Sequence, residues 1–550
     1  MRVLVLGGYG VFGARLSRLL RRDGHAVCVA GRDGAAASLL ASAIGASALQ
    51  IDRTGDLSAL SGFDAVVDAA GPFHTYGADP YRLAKAAIAA RVHYLDLSDN
   101  AAFCQGITAL DAVAKAAGVC VVSGLSSVPA LSSAAVQALA AGDRVRVIDV
   151  AILPGNRSPR GLSVMHSIVA QAGRPMPVWH GNKWEQVPGW SDPATYTLPD
   201  GLRRQGWRIE VPDTRLFPAH FGAETVRFRA GLELGLMRYG LAAFGLVQAM
   251  LNLPVGLPLV RLFKLAAEAL APFGTDRGGM SVIVIAGGER RTWRLLAEAG
   301  DGPFIPAIAA RALLRGPNLP PGAGPAIGVI SLDEAEAAMA DLKVRTERQT
   351  EVCVPLFARV LGHSFHDLPP EVRATHDTAD CSRWRGQARV SRGGGLWPRL
   401  IAMLFGFPPA AEAVPVTVTK KVTRGGETWV RTFGARRLRS YLAATPEGMT
   451  ERFGPITFLL ALHVRDHALQ FPVRGARLGP LALPRWMLPR SDAAESVVDG
   501  LFHFDVALSA PLTGALIVRY QGWLKPVEPD DPAQPGTEPR PLSRSARHGR

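Results

Sequence analysis

The sequence is poor in cysteine and in aromatic residues, with five cysteines in 550 residues and 7% Phe, Trp and Tyr. Cys28, Cys104, Cys120, Cys353 and Cys381 are far apart and odd in number, and no two form a CxxC pair. That spacing excludes a disulfide scaffold and points to buried thiols in a reducing compartment, with no metal site expected. Lysine is scarce, nearly all of the 61 cations being arginine, and 47 Asp and Glu leave a formal charge of +14. The excess suits an anionic cofactor, acidic lipid headgroups or nucleic acid without choosing among them. No nucleic-acid-binding motif accompanies it, so no nucleic-acid partner is expected. No apolar stretch of signal-peptide length precedes the first strand-like run, and the sequence predicts a cytoplasmic chain, with contact at the inner face of a membrane left open. What the chain has in quantity is apolar and small, 48% hydrophobic residues and 58 glycines, which predicts about two to four domains with real cores rather than a disordered chain.

From residue 1 to about 125, short apolar runs alternate with Ala-rich helical stretches. VLVL, HAVCVAG, SALQID, DAVVDAAG, VHYLDLS and VCVVSG each end at a small or polar residue. Strands separated by crossover-length segments predict a doubly wound parallel sheet of the Rossmann α/β class. Residues 126–345 read as an α+β domain with a mixed sheet, carrying strands at 144–150 and 280–285. Residues 350–526 read as β-rich: Phe502, Phe504, Val506 and Leu508 face one way while His503, Asp505 and Ala507 face the other. The Pro-rich polar residues 527–550 predict a disordered tail. Residues 239–260 carry no charge and approach the length of a bilayer span, but they contain Gln248, Asn252, Pro254 and Pro258. A buried helix is the leading expectation there, with an interfacial or spanning helix as alternatives.

The strongest chemical signal is the first strand followed by Gly7-Gly8-Tyr9-Gly10-Val11-Phe12-Gly13 and an amphipathic helix. Gly8, Gly10 and Gly13 satisfy GxGxxG in its strand–turn–helix setting. Gly8 is expected to make the tight turn, Gly10 to let the backbone near Val11 and Phe12 approach a pyrophosphate, and Gly13 to let helix pack on strand. The second strand ends in Gly31-Arg32-Asp33. Arg32 takes the ribose-adjacent position, where a guanidinium can hold a 2′-phosphate bidentately, so NADP is favoured over NAD. Asp33 dissents, and its plainer role is to cap the helix that follows.

On GGYGVFG, AGRD, DAVVDAAGPFHTYG (64–77), HYLDLSDN (93–100) and GLSSVP (124–129), the first 350 or so residues resemble the saccharopine dehydrogenase-like superfamily. The resemblance implies a Rossmann domain followed by an α+β domain, with the cofactor in the cleft between them. It implies that Ala69, Ala70, Gly71 and Pro72 pass beneath the adenosine and nicotinamide side, that Asp52 meets the adenine, and that Asp96 and Ser98 line the nicotinamide end. Related sequences often carry acids where this one has Ser126 and Leu131, which would hold an amino-acid ammonium. Their loss points to a small or lipid-like substrate, which Leu125, Val128 and Leu131 would suit at the cleft, although ordinary core packing is the leading expectation for those three. Of the second-domain histidines His166, His180 and His220, His220 is the candidate general acid.

Residues 350–526 resemble an uncharacterised domain family often fused to this dehydrogenase-like part, on VPLFARVLG, LPPEVRATH, FGPITFLL and the closing GLFHFDVALSAPLTGALIVRYQGWLKP. Residues 351–526 hold 22 Lys and Arg against 14 Asp and Glu, so more than half of the chain's excess charge lies there. Two functions compete: an NADP-dependent oxidoreductase, or a non-catalytic NADP-bound module whose C-terminal domain binds an apolar ligand or a membrane surface. Oligomeric state is not legible.

Overall fold

A computed structural model of the chain describes residues 1–159, 161–317 and 319–533 and divides into two compact units, 1–351 and 352–530. Most of the predicted tail, 534–550, lies outside the described residues.

In the first unit, β1 (Arg2–Leu6), β2 (Ala26–Gly31), β3 (Ser47–Gln50), β4 (Ala65–Asp68), β5 (His93–Asp96) and β6 (Cys120–Ser123) are the six runs read from the sequence. They pair in parallel in the order β6-β5-β4-β1-β2-β3. Val3, Leu4 and Val5 are wholly buried, as expected of a central parallel strand covered on both faces. The order reverses between β1 and β4, the switch point beyond which open α/β sheets bind ligands. α1 (Gly13–Arg22) and α2 (Gly34–Ile44) follow β1 and β2. A seventh strand, Gly322–Pro325, adds in parallel to the free edge of β6. It comes almost two hundred residues later in the chain and covers an edge that would otherwise expose unpaired amides.

A mixed second sheet in the same unit is built around Val145–Leu153, which pairs in parallel with Thr225–Gly231 and antiparallel with Gly278–Ala286. Both strands read from residues 144–150 and 280–285 are present there. The uncharged segment is neither buried nor a single helix. Helix Gly235–Leu251 ends where Asn252 turns left-handed (φ 47°), and a second helix, Leu257–Ala269, starts after a short connection. Only Leu241, Gly245 and Gln248 of the first helix are buried, which corrects the expectation of a buried helix. Among the described residues no helix is long and apolar enough to cross a membrane.

The second unit is a thirteen-stranded antiparallel sheet with short helices at Leu356–Leu361, Pro370–His376 and Leu396–Leu404. In Leu501–Ser509, Phe502 lies opposite Val497 and Leu524, and Phe504 opposite Glu495 and Gly522, so the alternation read from the sequence sets one inward face.

Candidate functional site: a dinucleotide cradle

The glycine loop is built by three close approaches. Gly7, not Gly8, carries the left-handed conformation (φ 73°), and a side chain there would strike Ala70. A Cβ on Gly8 would lie 2.7 Å from the Val5 carbonyl oxygen, and one on Gly13 would collide with the Gly7 carbonyl where α1 crosses the loop. Gly10 differs. Beyond the Gly7 oxygen at 3.1 Å its Cβ would meet open space. The backbone N–H groups of Val11, Phe12 and Gly13 have no hydrogen-bond partner among the described residues. Free amides at a helix N-terminus are the donors of an anion cradle, and a pyrophosphate fits this donor set.

Ala69 to Pro72 form the opposite wall. Ala69 N–H donates to the Leu6 carbonyl at 2.8 Å and Ala70 N–H to Asp68 at 3.0 Å, which holds the end of β4 against the glycine loop. Asp68 is buried and also accepts from the Tyr76 hydroxyl, at 3.2 and 3.1 Å to its two oxygens. Burial pushes its carboxyl up to about 6. The Arg53 guanidinium lies 3.2 Å from the centroid of the Tyr76 ring. Asp52 is exposed, with one oxygen accepting from both the amide and the hydroxyl of Thr54.

At the end of β2, Asp33 caps α2 through the Ala36 amide at 3.0 Å, the plainer of its two expected roles. Arg32 is exposed and edges an open depression of about 580 Å³ that also takes in Gly34, Ser38 and Gln50. Gln50 donates to the Arg32 carbonyl at 3.0 Å, and the Tyr9 hydroxyl accepts from the Asp33 amide at 3.1 Å. Tyr9 packs so closely on Gly31 that a Cβ there would lie 2.5 Å from its ring. Tyr9 was not predicted as a site residue, although it stands inside the glycine motif.

Asp96 and Ser98 are both fully buried. One Asp96 oxygen accepts from the Ser98 amide (2.9 Å), the Gly124 amide (2.8 Å) and the Ser123 hydroxyl (2.9 Å), tying the ends of β5 and β6 together. The other oxygen has no hydrogen-bond partner among the described residues. Burial outweighs these bonds, and the carboxyl rises to about 7. Of the two readings of the aliphatic residues after β6, the structure shows core packing. Leu125, Val128 and Leu131 belong to the packed core rather than lining an apolar cleft, since buried aliphatics pack wherever the interior needs volume. His220 sits at the exposed C-terminal turn of helix Pro212–Phe221, against Phe221. The histidines that do converge are His74, two residues beyond Pro72, and His166 on helix Leu162–Gln171, with rings stacked 5.5 Å apart. Among the described residues no cluster of metal-ligand type is present.

The raised Asp68 and Asp96 carboxyls give a signed prediction. Between about pH 4 and pH 7 the folded chain holds protons that the unfolded chain has lost, so stability falls as pH rises through that window. The loss amounts to a few kcal/mol. Melting curves from pH 5 to pH 8 should show the decline, and Asp96→Asn should flatten it; an equal slope in the variant would refute the assignment.

Parallel strand order, an open glycine loop at the switch point and free helix-terminal amides define a Rossmann protein with a dinucleotide cradle. Residues 3–122 match the saccharopine dehydrogenase NADP binding domain family, and residues 368–524 match a domain of unknown function, DUF4166. Both resemblances read from the sequence are thereby shown. Among solved structures the chain is similar to apo histidine-tagged saccharopine dehydrogenase (L-Glu forming) from Saccharomyces cerevisiae, at 17% identity over 64% of this chain and 100% of that one, TM-score 0.46. It is also similar to the WlbA (WbpB) dehydrogenase from Thermus thermophilus in complex with NAD and UDP-GlcNAcA, at 15% identity over 62% of this chain and 92% of that one, TM-score 0.31. Comparison with curated proteins gives no match.

Proposed function

We propose that the chain is an NADP-dependent oxidoreductase acting on a small or lipid-like substrate in the first unit. The observation that carries the reading is the cradle itself: a loop left open at Gly10 beside the amides of Val11, Phe12 and Gly13, which have no partner among the described residues. The NADP binding domain match at residues 3–122 supports it. Bound NADP would supply or accept the hydride. The chain's own residues do the rest. The loop amides hold the pyrophosphate, and Arg32 at its depression holds the 2′-phosphate. With Asp33 committed to capping α2, the end of β2 favours a phosphate over a bare ribose diol. His74, two residues beyond Pro72, and His166, stacked on it, are the imidazoles offered to pass a proton to or from the substrate oxygen.

Titration of the purified protein with NADPH and NADH tests the cofactor. NADPH should bind more tightly, and Arg32→Ala should remove most of the difference, about 1.5–3 kcal/mol for a charge-assisted contact. Equal affinity for the two nucleotides would refute the assignment. A panel of aliphatic and polar carbonyl compounds, followed by loss of NADPH absorbance, tests the activity. Tight nucleotide binding without turnover of any compound would instead support a nucleotide-bound module.

A further inference from the structure

The helix Gly235–Leu251 has a solvent face without a single charged residue. Leu236, Tyr239, Leu246, Val247, Met250 and Leu251 are all exposed, Met250 at 83% and Leu236 at 72% of their full surface. Helix Leu257–Ala269 continues the patch with exposed Leu257, Leu262 and Leu265, and Phe273 lies just beyond it at 76%. A helix apolar on its outer as well as its inner face is ordinarily covered, and a contiguous patch of this kind marks an interaction surface. Cations surround it. Arg261 is exposed on the second helix, Arg174 donates to the Leu253 carbonyl between the helices at 3.2 Å, and Arg157 donates to the Pro272 carbonyl at 3.3 Å. None of the three arginines has a carboxylate partner among the described residues. Over residues 235–273 there are three cations and one anion, Glu268, which pairs with Lys264.

The second unit repeats this chemistry independently. On helix Leu396–Leu404, Leu396, Leu400, Met403 and Leu404 are exposed, Leu396 at 86%. Trp397 is partly exposed beside them, with its indole N–H donating to the Pro511 carbonyl at 3.2 Å, and Arg399 is exposed on the same helix. Apolar side chains with an aromatic at their margin and arginine alongside are what an interfacial helix offers to lipid.

We infer that these helices dock the protein peripherally on an anionic bilayer surface, their leucines and Met250 in the acyl boundary and Arg157, Arg174 and Arg261 on headgroup phosphates. A second copy of the chain fits less well. Two-fold pairing through 235–273 would bring together two patches that both carry unpaired arginines. A bilayer supplies hydrocarbon and negative charge together, the chemistry that each of these patches presents. Neither helix has the roughly 20 residues needed to span, so the contact is interfacial. This inference is independent of the oxidoreductase reading.

Flotation of the full chain with vesicles of phosphatidylcholine and phosphatidylglycerol, compared with phosphatidylcholine alone, tests it. The protein should float with the mixed vesicles at low salt. Arg261→Gln should lower the bound fraction about fivefold, and Leu246→Glu or Leu396→Glu more than about tenfold, with melting temperature and NADPH binding retained because these residues are exposed. Failure of the parent protein to float with the mixed vesicles overturns the inference. So does equal flotation with neutral vesicles, or a concentration-dependent dimer in sedimentation that Leu246→Glu abolishes.

Discussion

Replacing Gly10 by valine should abolish nucleotide binding and leave the far-UV circular dichroism unchanged. Gly10 is not among the residues with positive φ, so an L side chain meets no backbone strain there, and apart from the Gly7 carbonyl oxygen at 3.1 Å, which must give by a few tenths of an ångström, its Cβ would point into open space. The chain alone tolerates the change. Only a ligand would collide, because the branched side chain fills the volume in front of the Val11, Phe12 and Gly13 amides. Losing two or three charge-assisted N–H bonds at about 1.5–3 kcal/mol each weakens binding by more than about a hundredfold. Gly13→Val is the contrasting variant: its Cβ would run into the Gly7 carbonyl, so it should lower the melting temperature whether or not nucleotide is present. Calorimetric titration with NADPH, alongside thermal melts of both variants, separates the two effects. Parent-like affinity in Gly10→Val would remove the cradle reading altogether.

The parallel sheet was legible because each buried strand is a continuous apolar run ending at a small or polar residue, and the order of runs dictates crossovers. The seventh strand was not. Gly322-Ala323-Gly324-Pro325 has neither apolar alternation nor β-branched residues, and its place depends on the free edge of β6. In the cradle, Gly13 could be read because glycine is required where a Cβ has no room, and Gly10 because the motif reserves its position for the approach of a ligand. Gly7 was missed as the left-handed residue, since two adjacent glycines do not reveal which one takes positive φ. Tyr9 and the Asp68–Tyr76–Arg53 group were missed for another reason. Tyr9 stands at a position the motif leaves free, and Arg53 meets Tyr76 only when the segments that follow β3 and β4 converge. The pairing of His74 with His166 depends likewise on contact between segments 92 residues apart. The uncharged segment was misjudged because periodicity tells which residues share a helix face, not whether anything in the same chain covers it.

Glu495→Gln should be the most destabilising single change in the second unit. Lys420 and Glu495 lie on strands four places apart in the sheet, a separation of roughly 19 Å were the sheet flat. Both nevertheless touch His376: its Nε2 is 2.5 Å from Glu495 and its Nδ1 is 3.5 Å from the Lys420 amine. The sheet therefore curls around helix Pro370–His376, and the three side chains sit inside the curl. Burial, with Lys420 nearby, holds His376 down to about 4 and keeps its imidazole neutral. A neutral ring can donate from Nε2 to the Glu495 carboxylate and accept at Nδ1 from the Lys420 ammonium, joining the two charges. Lys420 also donates to the Thr375 carbonyl at 2.5 Å and lies 4.0 Å from the centroid of the Trp429 ring, yet burial still lowers it to about 8. Removing the Glu495 charge leaves the buried ammonium with Glu427 as its remaining anion and His376 without its acceptor, and breaking a buried pair costs roughly 3–5 kcal/mol. For a unit of this size that is a fall in melting temperature on the order of 10 °C. The variant also carries a pH signature. Without the carboxylate the folded Lys420 loses its proton at still lower pH, while the unfolded chain keeps it to about 10. The unfolded state then holds the extra proton, so stability rises with pH, and the recovery should begin below pH 8 in Glu495→Gln. Lys420→Met should be milder, because His376 is then free to charge and pair with Glu495 directly. Differential scanning calorimetry of the three proteins from pH 6 to pH 10 reads both effects, and an unchanged melting temperature in Glu495→Gln would show that the buried pair contributes nothing to holding the curl.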